Sequence, residues 1–418
     1  MEDTGWPVIS CVFAPSLGTP AHIELAERLG YRRAWCYDSP AMYADPWMIL
    51  AIAAQRTAVI GLGPAALVPG LRHPVVTAAA LATLAGLAPG RVSTAFGTGL
   101  TGRMMLGERP MRWAEVEEYV RTVGALLRGE EATWNGSPVR LTQPPGFAAG
   151  RPAGVEVLIA ADGPRGRAVA AELGDGVLTS RVPRHEAGSD TGGDKGRRQV
   201  LLSFGTVLDD GEDPAGPRAV AAAGPALAAA YHAIYEAKGG AGVDKLPGGP
   251  QWREAVEAVA PARRHLTVHD GHLVALGKHD EALLARAAPL LATWTMTGTR
   301  ADIGARLRAL ASAGVTEIAY QPMGPDIPRE LAAFAAAAGL AGPGLAGPGP
   351  AGPGLAGSGP AGPGLAGSGL AGSGLAGSGL AGSGLAGSGP AGSGPAGTQP
   401  VGAQPAGAQL PSTGTDGA

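Results

Sequence analysis

The segment Val155–Thr179, VEVLIAADGPRGRAVAAELGDGVLT, decides the predicted fold class. It contains an apolar run typical of a strand, Val155–Ala160, then a helix-forming stretch, Arg165–Leu173, and a second strand-like run, Gly176–Thr179. Two strands that are joined by a single helix pair in parallel through a right-handed crossover. The segment therefore predicts one β-α-β unit.

The same alternation extends over most of the chain. Helix starts are predicted at Thr19-Pro20 and Asp45-Pro46, where Thr19 and Asp45 are the N-caps and a proline follows each, at His73-Pro74, and at a capping box formed by Thr299 and Asp302. The other strand-like runs are Pro7–Phe13, Ala34–Tyr37, Val59–Leu62, Arg91–Phe96, Gln199–Leu208 and Glu317–Gln321. Eight strands with intervening helices favour an α/β fold of the (β/α)8 TIM-barrel type over an open sheet.

Composition divides the chain into a globular part, residues 1–340, and a low-complexity tail, residues 341–418. The tail is rich in Gly, Ala, Pro and Ser, and it buries too little apolar surface to offset the entropy of ordering. We therefore predict a disordered tail. Within the globular part, residues from about 184 to 289 depart from the strand-helix alternation. They are predicted to form an insertion near the C-terminal mouth of the barrel.

The charge of the chain argues against two classes of partner. The formal net charge is -3, and no basic cluster adjoins an apolar segment. We therefore expect neither nucleic-acid nor membrane binding. Cys11 and Cys36 lie in strand-like runs and are predicted to be buried free thiols, and no basic stretch precedes the apolar run 8–13. A cytoplasmic location is expected on these grounds.

The loops after the strands of such a barrel carry its chemistry. Small residues predominate in these loops, so that a backbone can approach a bulky ligand there. The loops of interest are Tyr37–Pro40, Gly63–Ala66, Gly97–Gly99 and Ala160–Arg165. The last two also offer free backbone amides that suit a phosphate. Tight turns between strand and helix are the alternative explanation.

Six stretches of sequence stand in a characteristic order. They are IELAERLGYRRAWCYD (23–38), Asp45-Pro46 followed by Leu50–Arg56, TAVIGLGPAALVPGLRHP (57–74), LAGLAPGRVSTAFGTG (84–99), LIAADGPRGRAVAAELGDGVL (158–178) and TGTRADIGARLRALASAGVTEIAYQP (297–322). Taken together, residues from about 6 to 340 resemble the bacterial luciferase-like monooxygenase superfamily, especially its branch that uses the deazaflavin coenzyme F-420.

The resemblance implies a barrel, often dimeric, that holds a flavin or deazaflavin at its C-terminal mouth. Members transfer hydride between coenzyme F-420 and a small organic substrate, or act as monooxygenases with reduced FMN and oxygen. The leading hypothesis is an F-420-dependent oxidoreductase that acts on a small molecule. The first alternative is an FMN-dependent monooxygenase that needs a partner flavin reductase, and the second is a non-catalytic flavin-binding barrel.

The resemblance also assigns roles near the cofactor ring. Asp38 matches an aspartate that contacts the ring side of the deazaflavin, with a turn residue after a strand as the alternative. Ser39 stands where many deazaflavin-dependent dehydrogenases have an active-site histidine, so imidazole cannot transfer a proton there. The Ala65–Ala66 bond falls where the family has a non-proline cis peptide behind the ring, and Pro64 before it departs from the family pattern.

Further residues are predicted on the same basis. Tyr43 lies in a loop that flanks the ring, where it either contacts ligand or packs. Thr98, Gly99 and Arg103 follow the fourth strand, where the ribityl chain and substrate meet, and Arg103 faces either an anionic group or solvent. The predicted phosphate turn, at the N-terminus of a helix whose dipole favours an anion, consists of Ala160, Ala161, Gly163, Pro164 and Arg165.

Four histidines raise the question of a metal site. His265, His269, His272 and His279 are spaced by four, three and seven residues. Gly271 interrupts the helix that would align them, and no cysteine or suitably spaced carboxylate completes a set of ligands. The sequence therefore predicts no metal site.

Overall fold

The computed structural model describes residues 6–182 and 197–342. Eight of the strands form one parallel sheet. In chain order the strands are β1 (Val8–Phe13), β2 (Arg33–Cys36), β3 (Gly61–Pro64), β4 (Ser93–Phe96), β5 (Ala132–Trp134), β6 (Ser137–Val139), β7 (Glu156–Ala160), β8 (Gly176–Thr179), β9 (Arg198–Phe204), β10 (Val207–Leu208), β11 (Gly298–Thr299) and β12 (Glu317–Gln321).

The eight-stranded sheet closes on itself. Its strands follow the order β3-β2-β1-β12-β9-β8-β7-β4. The two end strands also meet, since the amide of Leu62 donates a hydrogen bond to the Arg91 carbonyl at 2.8 Å. Gly63 permits this approach, because a Cβ at this position would lie 1.7 Å from the Ser93 carbonyl oxygen. The predicted (β/α)8 barrel is confirmed.

Helices cover the outside of the barrel. The helices are α1 (Thr19–Leu29), α2 (Pro46–Arg56), α3 (Pro74–Leu87), α4 (Leu100–Met104), α5 (Trp113–Arg128), α6 (Pro164–Leu173), α7 (Pro217–Lys238), α8 (Gly240–Val243), α9 (Gly249–Glu257), α10 (Arg264–Val268), α11 (Lys278–Ala287), α12 (Leu291–Trp294), α13 (Arg300–Ser312) and α14 (Ile327–Ala337). In succession, α13 packs on α14, α14 on α1, α1 on α2, α2 on α3, α3 on α5 and α5 on α6.

The local sequence predicted one of two helix N-caps correctly. Asp45 caps α2 as predicted, since its carboxylate accepts a hydrogen bond from the Trp47 amide at 2.9 Å. The predicted cap at Thr19 is wrong, because α1 includes this residue and Gly18 is the N-cap. The Thr19 hydroxyl instead accepts a hydrogen bond from the Ser16 amide at 2.9 Å, which stabilises the preceding turn.

The third strand lies two residues beyond its predicted position. It spans Gly61–Pro64 rather than Val59–Leu62. The carboxylate of Glu27 in α1 accepts hydrogen bonds from the amides of Val59 and Ile60 at 2.8 and 2.7 Å. These amides are therefore not available to a neighbouring strand, and this long-range contact has no local sequence signal.

The excursion predicted at about 184–289 contains a barrel strand. β9 pairs with β8 on one side and with β12 on the other. The helical part of this excursion spans residues 217–294, between the paired short strands β10 and β11. This helical insertion has a hydrophobic core of its own, which includes Leu227, Tyr231, Trp252 and Leu283.

A charged network lies at the amino ends of the strands, opposite the mouth. Glu317 at the start of β12 is only 2% exposed. It accepts a hydrogen bond from the Ser10 hydroxyl at 2.6 Å and pairs with Arg33 and Arg198 at 3.0 and 2.7 Å. Both arginines also pair with Glu156, so two cations balance two carboxylates and the network is a structural feature of the barrel.

The cysteines agree with the sequence analysis. Cys11 and Cys36 are both free and buried, and burial raises the pKa of the Cys11 thiol well above its usual value. Within the described ranges, no helix combines the length and hydropathy that a membrane span requires. The predicted tail from residue 343 onward and the polar stretch 183–196 lie outside the described residues.

Candidate active site at the barrel mouth

Three small residues meet at the carboxyl ends of β3, β4 and β7. Ala66 lies two residues beyond Pro64, which ends β3; Gly97 follows β4, and Ala160 ends β7. A Cβ built on Gly97 would lie 3.3 Å from the Cβ atoms of both Ala66 and Ala160. We call these three residues the small-residue floor. Because no side chain in it exceeds a methyl group, a flat ring can approach the backbone there.

The peptide bond between Ala65 and Ala66 is cis, as the resemblance predicted. The residues on the two sides of this bond form backbone hydrogen bonds to different strands. The Ala65 amide donates to the Cys36 carbonyl of β2 at 2.9 Å, whereas the Leu67 amide donates to the Ala95 carbonyl of β4 at 2.7 Å. The bond therefore lies in a bulge between two strands of the barrel.

Asp38 follows β2 and is 1% exposed. Its two carboxylate oxygens accept hydrogen bonds from Nη1 of Arg72 at 2.8 and 2.7 Å, and Oδ2 also accepts one from the Val68 amide at 3.2 Å. Burial raises the pKa of the Asp38 carboxyl, and Arg72 opposes that shift. Through these hydrogen bonds, Asp38 connects the end of β2 to the segment that follows the cis bond. Its contact with a cofactor ring stays a prediction.

Arg103 in α4 is engaged within its own loop. Its Nη2 pairs with Glu108 at 2.8 Å, and its Nε donates to the Arg109 carbonyl at 2.6 Å. A Cβ on Gly70 would lie 2.0 Å from Nη1, so the guanidinium packs directly over that glycine. The Arg103 guanidinium therefore already has two partners in its own loop, and its predicted ligand role stays a prediction.

Other predicted residues line the turn beside α4. The Ser39 hydroxyl lies 3.3 Å from the position of a Cβ on Gly102, so the serine and α4 are in close contact. The carbonyl of Thr98 accepts a hydrogen bond from the Met111 amide at 2.9 Å. Gly99 has a φ of 74°, a conformation that favours glycine, and it is the N-cap of α4. These contacts bring the loops after β2 and β4 together.

The turn between β7 and α6 leaves a helix N-terminus uncapped. Gly163 is the N-cap without a side-chain hydrogen bond, and the first turn contains no acidic residue. Pro164 and the exposed Arg165 occupy the first two helical positions. Asp162 is directed toward β8, where it accepts a hydrogen bond from the Thr179 hydroxyl at 2.6 Å. The amides and dipole of α6 therefore favour an anion at this point.

Close packing positions this helix N-terminus next to the floor. A Cβ on Gly166 would lie 2.5 Å from the Cβ of Ala161 and 2.3 Å from the Trp113 ring. The first turn of α6 therefore lies directly against the end of β7. Because Ala161 follows Ala160 of the small-residue floor, the two features are adjacent.

The helical insertion reaches the opposite side of the mouth. The Tyr43 hydroxyl donates to the His272 carbonyl at 2.7 Å. Gln321 at the end of β12 donates from Nε2 to the Leu273 carbonyl at 2.8 Å and accepts from the Tyr37 hydroxyl at 2.8 Å. These hydrogen bonds hold residues 272–273 against the ends of β2 and β12.

Replacing Tyr43 with phenylalanine should loosen this segment. The variant loses its donor to His272, which should lower the free energy of unfolding by about 0.5–1.5 kcal/mol. Amide hydrogen exchange across residues 264–277 should accelerate, as measured by mass spectrometry. Tyr235→Phe is the control, because that hydroxyl contacts Glu257 within the insertion. Equal exchange in both variants would contradict the assigned contact.

Sequence reasoning did not assign Arg72 or Gln321 to this site, and it gave Tyr37 no role beyond its place in the loop Tyr37–Pro40. Arg72 stands directly before the predicted helix start His73-Pro74, and its partner Asp38 is 34 residues away. Tyr37 and Gln321 lie at the ends of strands, and this position is the sequence signal that could have identified them. Because 284 residues separate the two, the sequence did not show that they pair. Their pairing follows from the closure of the barrel.

The four histidines grouped by sequence separate in the structure. His269 and His272 lie together, with Nδ1 atoms 3.3 Å apart, and the third member of their group is His232 of α7 rather than His265 or His279. Burial lowers the pKa of His272 well below its usual value, and the neighbouring His269 and His232 lower it further. His272 is therefore neutral at neutral pH.

A groove of about 800 Å³ opens elsewhere, between α5, the β5–β6 hairpin and the amino end of β7. Its lining includes Arg121, Glu131 and Asp175 and none of the predicted site residues. Since (β/α)8 barrels bind their ligands at the carboxyl ends of the strands, we assign this groove no role.

The closed parallel barrel, the small-residue floor and the uncapped start of α6 define a (β/α)8-barrel protein with a candidate ligand site at its mouth. The sequence model of the luciferase-like monooxygenase family matches residues 18–317, and the chain belongs to this family. The family places the chain in a superfamily of oxidoreductases and monooxygenases.

Individual relatives support this placement. The 5,10-methylenetetrahydromethanopterin reductase of Archaeoglobus fulgidus is 27% identical over 331 residues, 73% of this chain and 90% of that protein. The F-420-dependent glucose-6-phosphate dehydrogenase of Nakamurella multipartita is 34% identical over 154 residues, which are 35% of this chain and less than half (44%) of that enzyme. One solved structure is similar over most of its length, the coenzyme F-420 dependent tetrahydromethanopterin reductase from Methanopyrus kandleri. It superposes with a TM-score of 0.56 at 18% identity and covers 79% of this chain and 97% of its own. This similarity supports the fold.

Proposed function

We propose that the chain is a coenzyme F-420-dependent oxidoreductase that transfers hydride to or from a small organic substrate. The observation that carries this proposal is the small-residue floor beside the uncapped N-terminus of α6. The floor suits a flat ring, because none of its three adjacent side chains exceeds a methyl group. The helix N-terminus accepts a phosphate. A deazaflavin cofactor contains both groups, and the Nakamurella multipartita relative is named for its dependence on F-420.

Each part of the mouth has a defined task in this proposal. The backbone amides at the start of α6 bind the phosphate, and Gly163 leaves room for it, since a Cβ there would meet no atom within 4 Å. The insertion covers the side of β2 and β12 through Tyr43 and Gln321, and so it excludes water from that side. Bound coenzyme F-420 supplies the carbon that donates or accepts hydride.

The residues near the ring position are not arranged for proton transfer by imidazole. Ser39 stands where the resemblance places a histidine, and Asp38 is held by Arg72. Hydride transfer depends on close and oriented carbon atoms rather than on a nearby base. We therefore propose a substrate whose reduction or oxidation does not require a histidine at position 39.

Titration of the full chain with coenzyme F-420 and separately with FMN, each oxidised and reduced, tests the proposal through ligand fluorescence. We expect the deazaflavin to bind at least about tenfold more tightly than FMN, a difference of about 1.4 kcal/mol. Preference for reduced FMN would contradict it in favour of a monooxygenase that uses oxygen and a partner reductase. Binding of neither cofactor would favour a non-catalytic barrel.

A further inference from the structure

Three imidazoles converge inside the helical insertion. His232 lies in α7, and His269 and His272 follow α10. One ring nitrogen from each can be chosen so that all three lie within 4.8 Å of one another, and the Nδ1 atoms of His269 and His272 are 3.3 Å apart. Zinc bonds of about 2.0–2.1 Å in a tetrahedral site place two nitrogen ligands about 3.3–3.4 Å apart. The spacing of this pair therefore matches one edge of a zinc site.

Carboxylates fix the orientation of two of these rings. Asp280 Oδ1 lies 3.0 Å from Nε2 of His232, and Glu236 Oε1 lies 2.5 Å from Nε2 of His269. An ionised carboxylate only accepts hydrogen bonds, so Nε2 carries the hydrogen in both rings. The tautomer that carries its single hydrogen on Nε2 keeps a lone pair on Nδ1. Metal-binding histidines show this arrangement, in which a carboxylate holds the nitrogen opposite the metal.

The carboxylate behind His232 is itself held in place. Asp280 is 4% exposed and also accepts a hydrogen bond from Nε1 of Trp252 at 2.9 Å. The Trp252 ring stacks on His232, with centroids 5.4 Å apart and an interplanar angle of 19°. The orientation of His232 is thus set by packing and by hydrogen bonding before any ion binds.

One buried nitrogen of the cluster lacks a partner. His232 is 1% exposed, and among the described residues its Nδ1 makes no hydrogen bond. In the same tautomer His269 Nδ1 also presents a lone pair, and among the described residues its hydrogen-bond partner is Nδ1 of His272 at 3.3 Å. A buried polar atom without a partner costs about 1–3 kcal/mol. A cation between the three rings would satisfy both lone pairs at once.

We propose that the helical insertion binds one Zn²⁺ ion through Nδ1 of His232, Nδ1 of His269 and a ring nitrogen of His272. Three imidazoles with a fourth position for water form a ligand set that zinc accepts. This differs from the sequence prediction of no metal site, because His232, Glu236 and Asp280 lie outside the histidine run 265–279. The proposal does not rest on the identity of the cofactor.

The ion would act on the mouth through one short segment. The carbonyl of His272 accepts the hydrogen bond from Tyr43, and that of Leu273 accepts the one from Gln321. Binding of His272 to a metal therefore fixes the segment that covers the ends of β2 and β12. Zinc is expected to slow amide exchange in residues 264–277 of the full chain.

The test is a zinc titration of the full chain after treatment with a chelator, in competition with a chromophoric zinc indicator. We expect one Zn²⁺ per chain, and Co²⁺ in its place should give the intense visible absorption of a tetrahedral site. Glu236→Gln should weaken affinity about 10–100-fold, because it removes the acceptor that orients His269. His232→Gln should weaken affinity more than this, since it removes a ligand.

The control variant is His265→Gln, which removes a histidine of the same region outside the cluster and should leave affinity unchanged. His272→Gln is a second ligand variant, and because that residue is only partly buried it keeps the test valid if His232→Gln does not fold. Equal zinc affinity in His272→Gln and His265→Gln would overturn the proposal. Absence of zinc binding by the unmodified chain would overturn it as well and leave a hydrogen-bonded histidine cluster.

Discussion

Replacing Arg72 with methionine is expected to lower the free energy of unfolding by about 3–5 kcal/mol at neutral pH, the cost of leaving a buried carboxylate without its cation. The Asp38 side chain is 0% exposed, and that of Arg72 is 16% exposed. Methionine retains much of the volume of the arginine stem. The loss of stability therefore measures removal of the charge more than formation of a cavity. Urea-induced unfolding of the variant and of the unmodified chain measures this difference.

The loss of stability in Arg72→Met should depend on pH, because it depends on whether Asp38 is ionised. Burial raises the pKa of the Asp38 carboxyl, and removing Arg72 withdraws the largest opposing influence, so this pKa rises further. A carboxyl with a raised pKa in the folded state contributes stability that is present below its unfolded pKa and is lost as pH rises through its folded pKa. The variant should therefore approach the unmodified chain at acidic pH and differ most at neutral pH.

Arg56→Met is the matched control for this experiment. Arg56 pairs with Glu24 at 2.7 Å, but the two side chains are 46% and 32% exposed. Such a surface pair contributes at most about 1 kcal/mol. The double change Asp38→Asn with Arg72→Met should recover part of the stability, because no buried charge remains. Equal losses in Arg72→Met and Arg56→Met would contradict the assigned role of the buried pair.

Replacing Gly163 with aspartate is expected to weaken F-420 binding about 10–100-fold without loss of stability. Gly163 is the N-cap of α6 in an extended conformation, φ -99° and ψ 166°, and a Cβ there meets no atom within 4 Å. Aspartate is a favoured N-cap residue, so the helix should retain or gain stability. Its carboxylate would occupy the amides proposed for the phosphate and repel it, and a lost charge-assisted hydrogen bond of about 1.5–3 kcal/mol corresponds to the stated range.

Gly163→Ser separates charge from size in this test. Serine also caps a helix but carries no charge, so its affinity for F-420 should stay within a few-fold of that of the unmodified chain. Fluorescence titration gives the dissociation constants, and thermal unfolding confirms that both variants fold. Unchanged F-420 affinity in Gly163→Asp would show that no phosphate binds at the start of α6.

Much of the fold could be predicted because its signals are local. The predicted strand Val155–Ala160 and the observed β7 differ by one residue at one end, and β8 begins and ends as predicted. Alternation of apolar runs, prolines in first helical turns and glycines at helix ends all act within a few residues. The third strand was misplaced because Glu27 binds the amides of Val59 and Ile60 across 32 and 33 residues.

The candidate site was predictable in position but not in its pairings. Strand ends identified the loops that carry Ala66, Gly97 and Ala160, and the resemblance identified the cis bond. The sequence did not show that Arg103 is engaged by Glu108 or that Asp38 is engaged by Arg72. These contacts depend on how the folded backbone arranges the loops, which the local sequence does not specify.

Sequence by itself determined the alternation of strands and helices, and with it the barrel and the residues at its carboxyl ends, because side-chain periodicity and turn chemistry act over short distances. Tertiary structure alone decided which distant groups meet. Asp38 and Arg72 are 34 residues apart, and His232 and Asp280 are 48 apart. Such groups converge only when the barrel closes and the insertion packs around its own core, since long-range contacts depend on the position of the whole backbone.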